Sequence, residues 1–329
     1  MKMGATLILT RQEIARLINM KKAIRVVEEA FYQYGLDRVQ MPAKIYLDLK
    51  KFQGDFRAMP AYIEKFKLCT LKWVNAHPRN KKFGFPSVMA VIILSDPKNG
   101  FPLSILDGTL LTSFRTGAGA AVAAKYLARK NSSVVGLVGC GVQAHTQLLG
   151  LREVLKIKEV KVFDQQTVLA RKFISQMQVK QEKMSVARDI KSCVEGCDVI
   201  VTTTPSRKPI VQWGWIKKGA HINAVGADAK GKQELDPMIL KRSKVVVDDW
   251  AQASHSGEIN VPVSKGFITK KNIYATLGEI VAGRKKGRAS SNEVTVFDST
   301  GLAIQDVAVA QVAYQAAVRQ KIGTKIRII

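Results

Sequence analysis

Hydrophobic residues recur along this chain with a period that changes twice. Near the start, Thr10-Arg11-Gln12-Glu13 has the form of a capping box, and two helices are expected after it. In the second, Ala23, Ile24, Val27, Ala30 and Phe31 recur at helical spacing until Gly35. The period then falls to two. Residues 44–49 alternate, and 57–62, 68–75 and 88–94 read as strands, punctuated by Pro78, Gly84, Pro86, Pro97 and Gly100. This first third is expected to be an α+β unit with a mainly antiparallel sheet. An alanine-rich helix over 112–128 leads out of it.

From there strands and helices alternate. Strands are expected at 134–138, 160–164, near 186, and at 199–203, 221–225, 245–247 and 294–297. Helices are expected at 142–154, 167–177, near 193, and at 236–242. Alternation of this kind predicts a doubly wound, mainly parallel sheet. A last helix, 302–320, carries a long apolar face suited to return to the first domain, and 325–328 can add a strand there. The expected domains are residues 1–115 completed by 305–329, and residues 116–304.

Composition changes this picture little. The chain has 329 residues, of which 47% are hydrophobic and 24% charged, a globular balance with room for two cores. Its four cysteines form no C-x-x-C pair, and no histidine lies at zinc-ligand spacing. No metal site is expected, and the thiols are read as reduced, in a cytoplasmic protein. The apolar run Ala5-Thr6-Leu7-Ile8-Leu9 is too short for a signal sequence or a membrane span. The formal net charge of +26 is the odd feature. Its lysines are scattered in twos and threes without interleaved aromatics, so a cationic surface is preferred to a nucleic-acid partner.

Candidate chemistry concentrates in the alternating half. Val134–Val138 is followed by Gly139-Cys140-Gly141-Val142-Gln143-Ala144, a helix, and a strand ending at Asp164. Gly139 allows the tight turn, Gly141 lets backbone approach a pyrophosphate, and small Ala144 lets helix and strand pack closely. The helix N-terminus, with Val142 and Gln143, offers N–H groups to phosphate, and Asp164 can accept ribose hydroxyls. The second domain therefore reads as a Rossmann-type dinucleotide fold. Ligands in such sheets lie beyond the strand carboxyl ends, which points to Thr203-Thr204, Asp228 and Ser299. Asp228 is a candidate acid/base, with a turn cap as its plain alternative. The first domain supplies cations at Lys44, Arg57, Lys72 and Arg115. A buried cation is costly without a partner, so an anionic ligand is inferred. Arg115 is expected just before a helix start, where the helix dipole would also favour a carboxylate.

Ordered segments now bring a family into view: Arg57-Ala58-Met59-Pro60-Ala61, residues 72–78, Thr112–Ala118, the glycine fingerprint, residues 223–228, Gly257-Glu258-Ile259 and residues 296–301. Over essentially its full length the chain resembles the ornithine cyclodeaminase/mu-crystallin family, nearest its archaeal-type alanine dehydrogenases. The resemblance implies a homodimer whose first domain binds substrate and dimerises while the central domain holds NAD. It implies that Lys72 and Arg115 hold the substrate carboxylate, with Lys44 standing where cyclodeaminases carry arginine, and that Asp228 is the catalytic acid/base, with Lys44 as its helper. Cyclodeaminases place a glutamate where Arg57 stands and the alanine dehydrogenases an arginine, so Arg57 is expected on the substrate carboxylate with Lys72 and Arg115, and a cation there disfavours a diamino acid. Gln165 and Gln166 after Asp164 offer nothing to a 2′-phosphate, which favours NAD over NADP.

The expected activity is NAD-dependent oxidative deamination of L-alanine to pyruvate and ammonia, reversible as reductive amination. Alternatives are reduction of a cyclic imino acid such as pyrroline-2-carboxylate, ornithine cyclodeamination, or a non-catalytic binding role.

Overall fold

The computed structural model describes residues 4–328. The chain forms two compact units, Met1–Arg115 with Leu302–Ile329, and Thr116–Gly301.

The first unit opens with β1 (Thr6–Leu9), α1 (Arg11–Leu17) and α2 (Met20–Gly35). Thr10 caps α1 as expected, and Glu13 reaches back to the Thr10 amide at 2.8 Å. On α2, Ala23, Ile24, Val27, Ala30 and Phe31 are all buried. Strands β2 (Val39–Gln40), β3 (Ile45–Leu49), β4 (Gly54–Ile63), β5 (Leu68–Ala76), β6 (Val88–Ser95) and β7 (Pro102–Asp107) follow. Helix α3 (Gly108–Leu127) runs through the boundary between the units. It starts at Gly108 because the Asp107 carboxylate accepts the Thr109 and Leu110 amides, at 3.2 and 2.9 Å.

The second unit contains β8 (Val134–Val138), α4 (Val142–Val154), β9 (Glu159–Phe163), α5 (Thr167–Met177), β10 (Lys183–Val186) and α6 (Ile190–Val194). Next come β11 (Val199–Thr202), β12 (His221–Ala224), α7 (Pro237–Arg242) and β13 (Lys244–Val247). The unit ends with α8 (Trp250–Ser256), α9 (Asn260–Ser264), β14 (Ile273–Thr276), α10 (Leu277–Val281) and β15 (Thr295–Asp298). Strand order is β10-β9-β8-β11-β12-β15-β13-β14, with every pairing parallel. The first five strands of that order are the doubly wound dinucleotide arrangement, so the unit is Rossmann-type. Both faces of the sheet are covered, which is why its strands are nearly continuous apolar runs. Val135, Leu137, Val160 and Val162 pack with Leu148 and Phe173, while Ile200, Ile222 and Val296 pack with Ile239 and Ile259.

The chain then returns to the first unit as α11 (Ala303–Gln320) and β16 (Thr324–Ile326). That unit's sheet has the order β16-β1-β7-β6-β5-β4-β2, with β3 also on β4. Most pairings are antiparallel; β1 and β7 are parallel. Helix α11 packs over β4, β5 and β6 and against α2, as its apolar face predicts. Along β4 and β5, Arg57, Met59, Ala61, Thr70, Lys72 and Val74 form the buried face. The opposite face stays open, exposing Ile45, Leu71, Trp73, Val91 and Ile93, with Phe56 stacked on Trp73 at 5.1 Å.

Within the second unit His221 is fully buried, bonded to Thr295 Oγ1 at 2.9 Å and Asn223 Oδ1 at 3.0 Å. Burial, helped by the nearby Arg288 charge, lowers its pKa to about 3 from an ordinary 6.5. The folded protein thus keeps this ring neutral while the unfolded chain binds a proton. Its contribution is fully present above pH 6.5 and falls away as pH drops towards 3. Urea unfolding of His221→Gln and the parent should show it. The parent loses about 1.4 kcal/mol per pH unit more than the variant across that interval; parallel pH dependences would contradict a neutral buried ring.

Candidate active site

At the end of β8 the chain turns at Gly139, whose φ of +94° suits glycine. A Cβ there would meet Thr203 Oγ1 and Thr204 Cγ2 at 3.0 Å. The glycine therefore lets the β8 and β11 ends come together, and Thr203 Oγ1 donates to the Gly139 carbonyl at 3.0 Å. At Gly141 a Cβ would meet nothing within 4 Å, so this position borders open space. Gly141 caps α4 without a side chain, leaving the N–H groups of Val142, Gln143 and Ala144 at an uncapped helix start. Ala144 is fully buried in the sheet core, as close packing requires. The Asp164 carboxylate is fixed by the Cys140 amide on one oxygen and the Gln166 amide on the other, both at 2.9 Å. Each carboxylate oxygen has a second lone pair, so a ribose hydroxyl can still be accepted. These features fit a dinucleotide with its pyrophosphate on α4.

Asp228 lies in the loop after β12, its carboxylate 2.5 Å from the Lys232 ammonium and both side chains partly exposed. Sequence reasoning passed over Lys232. It also passed over Glu234 and gave no role to Glu258 and Asp298, three buried acids that hold this rim. Asp298 accepts the Glu258 and Ile259 amides at 2.9 and 3.0 Å. Glu258 in turn accepts the Glu234 and Leu235 amides, at 2.9 and 2.7 Å. Glu234 accepts the Thr204 amide and hydroxyl at 2.6 and 2.7 Å, and the Gly226 amide at 2.9 Å. Burial raises the pKa of Glu234, and burial with the neighbouring Glu234 charge raises that of Glu258 well above the ordinary range. Thr204 is thereby fixed in place, as is the backbone two residues before Asp228. Ser299 is buried just past β15 and donates its amide to the Ala224 carbonyl at 3.0 Å.

In the first unit the four predicted cations have different settings. Lys72 is fully buried in mid β5, its ammonium 2.6 Å from Asp306 on α11. Arg115 Nε lies 3.3 Å from the same carboxylate, and its Nη1 donates to Gln305 Oε1 at 3.2 Å. Burial, with repulsion from Arg115 and Lys44, lowers the Lys72 pKa to about 7 despite the attraction of Asp306. Lys44 precedes β3, close enough to act on Lys72. Arg57 is buried on β4, with Nε and Nη2 on Asp55 at 2.7 and 3.0 Å and its guanidinium over the Tyr46 ring.

One expectation changes. Arg115 does not precede a helix start; α3 begins at Gly108, so the dipole contributes nothing local there. Asp306 balances one of the two buried charges of Lys72 and Arg115. Arg57 has Asp55 as its ion-pair partner. Asp306 and Gln305 left one legible trace, a polar pair inside an Ala/Val-rich helix. Among the described residues no group of three or more His, Cys, Asp or Glu is placed to hold a metal ion. No helix among them is long and apolar enough to cross a membrane.

A Rossmann-type unit with an uncapped fingerprint helix, in a chain whose other unit buries a cationic cluster, defines a dinucleotide-binding enzyme class. Residues 5–321 match the model of the ornithine cyclodeaminase/mu-crystallin family, and the chain belongs to that family. It is 54% identical over 324 residues to an alanine dehydrogenase of Archaeoglobus fulgidus, covering 98% of each chain. An archaeal alanine dehydrogenase dimer with bound NAD superposes with a TM-score of 0.95 at 54% identity, covering 99% of this chain and 100% of that one. A Δ1-pyrroline-2-carboxylate reductase of Thermococcus litoralis, solved with NADH and L-proline, also gives 0.95, at 39% identity and 98% and 100% coverage.

The two fingerprint glycines have separable roles. Gly139→Ala is expected to lose about 1–2 kcal/mol of stability through its positive φ, seen as a lower urea midpoint. Gly141→Ala, bordering open space, should leave that midpoint unchanged while weakening NADH binding in a fluorescence titration. The reverse pattern would contradict these assignments.

Proposed function

We propose that this chain is an NAD-dependent alanine dehydrogenase, converting L-alanine and water to pyruvate and ammonium and running in reverse as reductive amination. The observation that carries the reading is the buried Lys72–Arg115 pair, two cations sharing one carboxylate, in a protein 54% identical to an alanine dehydrogenase.

Each residue then has a defined task. Val142, Gln143 and Ala144 present amides to the pyrophosphate, Asp164 accepts the adenosine ribose, and Thr203, Thr204 and Ser299 line the cofactor side of the strand ends. The NAD nicotinamide supplies a two-electron acceptor for the substrate Cα hydrogen. Lys72 and Arg115 fix the α-carboxylate through charge-assisted hydrogen bonds, and Lys44 and Arg57 add positive charge on the same sheet face. Asp228 takes a proton from the amine or from attacking water and returns it to the departing ammonia, helped by Lys44. Lys232 keeps a positive charge against that carboxylate.

A second reading has a specific basis. The pyrroline-2-carboxylate reductase relative shares the fold almost completely, and reduction of a cyclic imine needs the same carboxylate grip without ammonia. The active unit is proposed to be a cytoplasmic homodimer. Four free thiols suit a reducing compartment, and the open apolar face at Leu71, Trp73 and Val91 suits a second copy. Light scattering should give twice the 36.3 kDa chain mass, and a mass of one chain would contradict the dimer.

Spectrophotometry with a substrate panel tests the activity. Alanine should form NADH with NAD and far less NADPH with NADP. Ornithine should release no ammonia. NADH loss with the cyclic imine alone, and none with pyruvate plus ammonium, would favour the reductase. Asp228→Ala should lower turnover by about 10²–10⁴-fold with NADH affinity unchanged; full activity would remove Asp228 from the chemistry.

A further inference from the structure

Helix α11 is built of alanine and valine, yet it buries Gln305 and Asp306 completely. A carboxylate in such a setting is expensive unless it meets opposite charge. Asp306 meets two. Its Oδ2 lies 2.6 Å from Lys72 Nζ and its Oδ1 3.3 Å from Arg115 Nε. At 2.6 Å the Lys72 contact is a charge-assisted one, while the longer Arg115 contact leaves Nε without a hydrogen-bond partner among the described residues. One carboxylate thus lies against two buried cations, and one positive charge of the pair is left over for a ligand. Gln305 steadies the arginine from the same turn, accepting from Nη1 at 3.2 Å and from the Leu302 amide at 3.0 Å.

We propose that Asp306 is a positioning residue, whose carboxylate fixes the spacing of Lys72 and Arg115 and cancels one of their charges, so that the pair holds a single substrate carboxylate. This rests on the dehydrogenase reading for the identity of the ligand, but not for the existence of the cluster. The charges acting on Lys72 are Asp306 from α11, Arg115 from α3 and Lys44 before β3. On β4 the buried charge is Arg57, paired with Asp55. The buried side chains of α1, α2 and β6 are uncharged. Asp306 is thus the acid that opposes burial and two cations in keeping Lys72 protonated. The sign follows: without it, Lys72 loses its proton at lower pH, and carboxylate binding weakens from that pH upward.

The test is the pH dependence of KM for pyruvate in the parent, Asp306→Asn and Asp306→Glu, from about pH 5 to 9, with NADH affinity measured alongside. In the parent, KM is expected to stay flat below pH 7 and rise above it. In Asp306→Asn the rise should begin at least about one pH unit lower, raising KM at pH 7 about five-fold or more, with kcat and NADH affinity little changed. Asp306→Glu keeps the charge and shifts its position, so it should raise KM at all pH values without moving the break. An unmoved break in Asp306→Asn, or a break moved as far in Asp306→Glu, overturns the proposal and leaves the dehydrogenase reading standing. If the parent turns over no pyruvate, the dehydrogenase reading falls instead. Lysine ε-13C NMR then decides, with Lys72→Met assigning the resonance. A lower titration of Lys72 in Asp306→Asn supports the positioning role, and an unchanged one overturns it.

Discussion

A fully buried lysine ammonium is among the least tolerable groups in a protein interior, and the first unit is arranged around making one tolerable. Lys72 sits in the middle of a β-strand, flanked across the sheet by Met59 and Ile92. The acid that meets it, Asp306, comes on α11, returning from the far end of the sequence. The return of the chain is thus more than extra apolar cover for the sheet. It completes a charge cluster whose other members, Arg115 and Lys44, would otherwise repel the lysine. Replacing such a cluster by hydrophobic side chains would cost little stability or even add some, so its presence points to ligand recognition rather than to folding.

The second unit solves the converse problem with buried acids. Glu234, Glu258 and Asp298 act in series: Glu234 accepts the Gly226 amide, Glu258 accepts amides of the Glu234 segment, and Asp298 accepts amides of the Glu258 segment. Loops past strand ends are ordinarily the mobile part of a doubly wound sheet. Here the Thr204 and Gly226 segments are tied to β15 through three carboxylates in turn, the last being Asp298 of β15 itself. Such bonding holds a rim in one geometry, which a hydride-transfer site requires more than most.

Much of this was legible in the chain. Period and punctuation located most of the sheet strands, because burial on both faces leaves continuous apolar runs, and burial on one face leaves alternation. Gly139, Asp164 and Lys72 stood out because each breaks its local pattern. What escaped was non-local or carried by turns. Strand β7 lies in a mixed segment, and the short elements between Trp250 and Val281 lack a full period. The α3 start was misplaced because Asp107, its cap, sits at the end of a strand. Asp306 shows locally only as an acid in an apolar helix; its meaning depends on a residue more than two hundred positions away, and no local pattern records that partner.

The central claim is that the Lys72–Arg115 pair holds the substrate carboxylate, with Asp306 behind it. The most direct measurement is a crystal structure of the protein with NADH and pyruvate. The account predicts both carboxylate oxygens within about 3 Å of Lys72 Nζ and the Arg115 guanidinium, with the Asp306 contacts kept. Pyruvate bound elsewhere, with Lys72 touching Asp306 alone, would contradict it.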